Sequence, residues 1–139
     1  MSAVSRWSTF SAIFLGLARI VFGFLFACHG AQKVLGWFGG MPPGVPPFIK
    51  YGAGGIELVG GLLIMVGLFT RFAAFIASGE MAVAYFMGHA SHAQGINFFL
   101  PTVNKGEDAV LYCFFFLFLS AAGAGALALD RMTGSRRAP

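Results

Sequence analysis

The sequence predicts an all-α polytopic membrane protein, with four transmembrane helices in an up-down antiparallel bundle. Three observations lead there. Of the 139 residues, 58% are apolar and only 10% are charged, whereas a soluble domain carries about 25% charged residues. Four apolar stretches of spanning length are separated by polar or Pro-rich links. The few charges inside those stretches share helix sides with Gly and Ala, where neighbouring helices can approach closely. The spans fill residues 9–131 as one domain, between short tails at 1–8 and 132–139, and leave no room for a separate soluble catalytic domain. The net charge of +4 comes from basic residues scattered singly near helix ends. That pattern sets membrane orientation and is no footprint for nucleic acid.

The first span, about 9–31, organises the rest. It is long enough to cross a bilayer yet carries Arg19 near its middle, and it leads into His29, Gln32 and Lys33. At 100° per residue, Ala12, Gly16, Gly23, Ala27 and Gly30 fall near the Arg19 side. The charge therefore faces other helices. An ionised group at mid-membrane costs roughly 2.5–3.5 kcal/mol on insertion scales, so it demands partners. The N-terminal run is too long for a signal peptide core and is interrupted by Arg19, so the span is expected to be retained.

The next segment, GWFGGMPPGVPPFIKYG, is too rich in Pro and Gly for a helix interior. Its aromatic residues suit a loop at headgroup level. Span two, about 53–69, carries Glu57 beside a stripe of Ala53, Gly60 and Gly67, with Gly54 and Gly61 adjacent. Thr70 and Arg71 make a short turn into span three, about 72–88, where Glu80 lies on the side of Ala73, Ala77 and Ala84. A polar link with His89, His92, Asn104 and Lys105 follows. Span four, about 108–129, opens on Glu107 and Asp108, acidic residues that suit a helix N-terminus. Its first half is aromatic and its second half small.

Four spans place both termini on one side. That side holds Arg6, Arg71, Arg131, Arg136 and Arg137 against Lys33, Lys50 and Lys105 on the other, which predicts cytoplasmic termini in a multi-pass plasma-membrane protein. With a rise of about 1.5 Å per residue, Arg19 and Glu80 both lie roughly 13–15 Å from the cytoplasmic edge. Glu57 lies nearer the opposite edge. These depths predict an Arg19–Glu80 pair at the midplane and a shallower group of Glu57, His29 and Lys33. Arg19 bridging both carboxylates is the alternative.

Two readings of these charges stay open. Buried pairs can simply fix helix register. Alternatively, Arg19, His29, Lys33, Glu57 and Glu80 form a ligand or proton pocket opening to the non-cytoplasmic side. Asn104, Glu107, His89 and His92 are secondary candidates. His89 and His92 have the spacing of half a metal site, but no third ligand has diagnostic spacing, so no metal is expected. Cys28 and Cys113 form no C-x-x-C pair. They read as packing thiols, or as a bridge should spans one and four touch. The aromatic half of span four can flank an apolar ligand ring.

Several short patterns recur in fixed order. Arg19 precedes HG-x-x-K (His29, Gly30, Lys33). E-x-x-GG-x-L-x-x-x-G-x-x-T-R follows from Glu57 to Arg71, then N-x-GE at Asn104 to Glu107 and G-x-G-x-x-x-LD from Gly123 to Asp130. In order and spacing they resemble the DoxX family across residues 10 to 130. The resemblance implies a small bacterial-type membrane protein of four helices. It also implies an association with respiratory or redox complexes, such as a quinone-reducing thiosulfate oxidoreductase subunit or an oxidative-stress assembly. It assigns no catalytic residue.

The functional expectation is a redox-associated subunit that binds a quinone or another small lipophilic molecule between its helices. No intrinsic metal, flavin or haem motif is evident, so electrons would come from redox partner proteins. The alternative is a non-enzymatic scaffold or assembly factor recruiting partners through loop 37–50 and link 89–106. Small-solute transport is a third reading, for which a homo-oligomer would have to build the path. The lipid bilayer is the partner common to all three.

Overall fold

The computed structural model describes residues 3–134, with side chains from 7 to 133. Arg136 and Arg137, and the side chain of Arg6, all counted in the orientation argument, lie outside the described residues. Every regular element among the described residues is helical. Helix α1, Ala3–Leu35, runs without a proline and stops at Gly36, whose φ of 72° is left-handed. Helix α2, Phe48–Val66, starts directly after the prolines. The amides of Ile49 and Lys50 reach the Pro46 carbonyl at 3.0 and 3.1 Å, and a proline in the first turn costs no helix bond. So the Pro-rich segment ends where a helix can begin, and α2 starts five residues before the expected 53.

Helix α3 covers 70–89, with Thr70–Ala84 regular and Tyr85–His89 π-helical. Helix α4 is Glu107–Ala122, and a short helix α5, Leu129–Gly134, follows it. Helix α2 is also wound wide, with π-helical stretches at Phe48–Ala53 and Ile56–Gly60. Two helices, Trp7–Leu35 and Phe48–Val66, are long and apolar enough to cross a membrane.

Helices α1 and α2 pack antiparallel, almost backbone on backbone. Gly23 faces Gly61 and Met65, and Gly30 faces Gly54 and Leu58. A Cβ on Gly61 would lie 2.5 Å from the Ala27 nitrogen, while one on Gly60 would meet nothing within 4 Å. The close-packing row of α2 is therefore Gly54 and Gly61, adjacent to the expected stripe of Ala53 and Gly60.

Helices α3 and α4 are also antiparallel. Arg71 at the start of α3 reaches the last carbonyls of α4, and Tyr85 near its end packs on Gly106 just before α4. Ala73, Ala74, Ala77 and Met81 of α3 meet Ala109, Tyr112, Phe116 and Leu119 of α4 in the core. Phe22 and Phe26 of α1 close it against Tyr112, Phe115 and Phe116. The Ser78 hydroxyl donates to the Cys113 carbonyl at 2.8 Å. Cys28 and Cys113 are both free thiols.

Outside, Phe14, Phe24, Val59, Phe75, Leu111 and Phe114 are exposed, whereas Arg19, Glu57, Thr70 and Ser78 are buried. Apolar side chains outward and polar ones inward is the distribution that hydrocarbon favours and water opposes. Two boundaries differ from expectation. The α2–α3 turn is 67–69, because Gly67 takes a left-handed φ of 72° and ends α2 there. Helix α4 stops at Ala122, and residues 123–128 are irregular, with positive φ at Gly123, Gly125 and Leu127. The expected fourth span to 129 is therefore a shorter helix and a backbone loop.

Candidate functional site

That loop decides the surroundings of Arg19. The α2 C-terminus carries a Schellman pair, Gly67 N–H to Ile64 and Leu68 N–H to Leu63, at 3.1 and 3.0 Å. Carbonyls of the last turn remain in need of donors. Arg19 Nη1 donates to Ile64 at 2.7 Å and to Met65 at 2.5 Å. Its Nε donates to Ala124 at 2.8 Å, and Nη2 donates to Ala126 and Leu127 at 3.2 and 2.6 Å. A guanidinium has five N–H donors, and all five are used. The residue is 0% exposed.

The predicted Arg19–Glu80 pair is therefore absent, and so is a bridge from Arg19 to both carboxylates. Carbonyl dipoles replace the carboxylate because the broken end of α4 folds over α1 and turns its backbone inward. Its N–H groups are used as well, with Ala126 donating to Ala12 and Asp130 to Gly67, each at 2.8 Å. The Asp130 carboxylate accepts from the Phe69 and Thr70 amides at 2.8 and 2.9 Å, capping α3. Arg71 caps α4 in the complementary sense, donating to Ser120 and Ala121 at 3.0 and 2.5 Å. Sequence reading placed Asp130 only within a motif, and Arg71 in a motif, a turn and the orientation count, without a capping role for either. Their pairing of basic and acidic residues with helix ends was the available signal.

The second polar group lies at the opposite end. Lys33 Nζ meets both Glu57 oxygens at 2.5 Å, with side-chain exposures of 18% and 3%. Glu57 sits in the π-helical turn Ile56–Gly60, which turns it toward α1. Both residues line a cavity of about 740 Å³ between α2 and α3, together with Glu80 and His89. Its other walls include Met41, Phe48, Ile56, Ile76, Val83 and Met87. Glu80 Oε2 is buried without a hydrogen-bond partner.

Three expectations about this group need correction. Arg19 belongs to the other end. His29 does not line the cavity; it is exposed, and its ring stands edge-on to Tyr112 at 6.0 Å. Although His29 and Lys33 are four residues apart, the long lysine stem bends to α2 while the short imidazole stays against α4. The wall expected from the aromatic half of α4 instead comes from α2, α3 and the loop before α2, because Tyr112, Phe115 and Phe116 are committed to α1.

Of the secondary candidates, only His89 reaches the cavity. Asn104 holds the 90–106 link together. Its Nδ2 lies 3.1 Å from the Tyr85 hydroxyl and donates to the Asn97 and Phe98 carbonyls at 3.1 and 3.2 Å, while its Oδ1 accepts from Gly106 at 3.0 Å. Glu107 accepts from the Thr102 hydroxyl at 2.9 Å. His92 is exposed, and among the described residues no three His, Cys, Asp or Glu side chains gather as metal ligands.

The chain is similar to two known proteins. A protein of Haemophilus influenzae (strain ATCC 51907 / DSM 11121 / KW20 / Rd), described as uncharacterized, is 47% identical over 121 residues, covering 84% of this chain and 88% of that one. A Bacillus subtilis (strain 168) protein named "Putative oxidoreductase CatD" is 36% identical over 88 residues, covering 53% of this chain and 64% of the relative. No solved structure matches significantly. The family model for DoxX matches residues 14–90, a segment containing Arg19, Lys33, Glu57, Glu80 and His89. The chain belongs to the DoxX family of membrane proteins.

Proposed function

We propose that the chain crosses the bilayer four times with both termini in the cytoplasm, and that it holds a quinone or similar lipophilic carbonyl compound between α2 and α3. The observation carrying this reading is the unpartnered Glu80 Oε2, in the same cavity as the Lys33–Glu57 pair. A buried polar atom without a partner costs free energy that a bound ligand can recover. The cavity volume of about 740 Å³ falls within the roughly 300–1,000 Å³ range of small-molecule sites. Its walls are largely aliphatic and aromatic, with four polar side chains among them.

The chemistry suits both redox forms of such a ring. A quinol hydroxyl can donate to Glu80. A quinone carbonyl can accept from the ammonium of Lys33, which has three protons and shares two with Glu57. The π-helical turns at Ile56–Gly60 and Tyr85–His89 border the cavity, and such turns recur at functional sites. The name of the Bacillus subtilis relative, "Putative oxidoreductase CatD", is in keeping with a redox ligand. Electrons would be supplied by a partner protein, and this chain would bind and orient the ring.

Calorimetric titration of the detergent-purified protein with a short-tail ubiquinone tests the proposal. Glu80→Gln and Glu57→Gln should each weaken binding about tenfold with the fold retained. No measurable binding by the unaltered protein, or unchanged affinity in both variants, would overturn it. The number of crossings is tested separately, by labelling single cysteines placed at each terminus from one side of sealed vesicles.

A further inference from the structure

We infer that the end of the molecule opposite the Lys33–Glu57 pair carries a site for an anionic phospholipid, its phosphate held by Arg71 and Arg131. A second cavity of about 740 Å³ opens there, lined by both arginines, by Thr70 and Asp130, and by Leu15, Phe69, Phe72 and Phe118. One part of its wall is cationic and another apolar, as a headgroup with attached acyl chains requires.

The donors are available. Arg71 uses Nη1 on the α4 carbonyls, and its Nη2 and Nε have no hydrogen bond among the described residues. Arg131 has no side-chain hydrogen bond or ion pair among the described residues. The Thr70 hydroxyl is an independent sign: Thr70 is 0% exposed, lines this cavity, and its Oγ1 has no hydrogen-bond partner. Asp130 opposes an anion, but both of its oxygens are occupied by the Phe69 and Thr70 amides. The cavity therefore keeps two cations against one carboxylate already engaged by a helix N-terminus. Leu15, Phe72 and Phe118 supply the surface along which an acyl chain lies.

Native mass spectrometry of the full chain, with phosphatidylglycerol or phosphatidylcholine of identical acyl chains, tests the site. Phosphatidylglycerol should be retained about fivefold more strongly, the effect of the single net positive charge that two arginines and Asp130 leave near a membrane surface. Arg131→Gln should bring the ratio close to one, with the melting temperature unchanged. Ala122→Phe, which fills the cavity from the end of α4, should lower retention of both lipids and provides the test should Arg131→Gln fail to fold. Equal retention of the two lipids by the unaltered chain, or a preference surviving both variants, would sink the inference. Displacement of the lipid by millimolar inorganic phosphate would likewise overturn it, by assigning the arginines to a free anion.

Discussion

Arg19 Nη2 and the Leu127 carbonyl lie 2.6 Å apart although 108 positions separate them in the chain. The contact joins the middle of the first helix to a loop that only forms because α4 stops at Ala122. Arg19→Lys retains the charge but presents three donors in a different geometry. It should lower stability by about 3 kcal/mol, read as a lower melting temperature in detergent. Ligand affinity per folded molecule should not change, because Arg19 lies outside the Lys33–Glu57 cavity.

The Lys33–Glu57 pair behaves differently. Glu57→Leu leaves the half-buried Lys33 ammonium without its carboxylate and should cost about 2–3 kcal/mol. A second change, Lys33→Met, should restore most of that loss, since replacing both members of a buried pair by apolar residues is often close to neutral. Denaturation of the two single variants and the double variant measures the coupling. Additive losses would mean that the pair contributes nothing as a pair.

Glycine requirements on α2 should differ between neighbouring positions. Gly61→Ala places a methyl 2.5 Å from the Ala27 nitrogen and should cost about 1–3 kcal/mol by forcing α1 and α2 apart. Gly60→Ala meets nothing within 4 Å and should be neutral or stabilise slightly. A melting comparison of these two variants reports on the α1–α2 contact directly.

Asp130→Ala removes the acceptor for both the Phe69 and Thr70 amides and should destabilise by about 1–2 kcal/mol. Amide hydrogen exchange should quicken at the start of α3 before it does elsewhere. Asp130→Asn keeps one acceptor oxygen and should show roughly half the effect.

Much of the architecture was legible because span length, Pro and Gly breaks, and the small-residue sides of helices follow from side-chain chemistry alone. Arg19 was correctly placed inward among Gly16, Gly23, Ala27 and Gly30, all of them buried. Its partners were not legible, because every residue has a carbonyl and no letter marks the one that turns inward. The break after Ala122 was the missing information. The Gly-Ala-Gly run there reads equally well as a close-packing helix side, and only the positive φ values of Gly123, Gly125 and Leu127 distinguish the two. Glu57 and Lys33 were grouped correctly because both are charged and share a depth. His29 was grouped with them by angular position, which ignores how much farther a lysine reaches than an imidazole.

The carbonyl cage also imposes an order on biosynthesis. Arg19 leaves the ribosome early, and Ala124, the first of its three loop partners, is synthesised 105 residues later. Throughout that interval the nascent first helix holds an incompletely solvated cation, kept by water, lipid headgroups or the insertion machinery. Closure by the 124–127 loop completes its coordination. A ribosome that stalls short of residue 124 leaves a protein whose first helix is still unsettled in the membrane, and quality-control proteases should recognise it as unfinished.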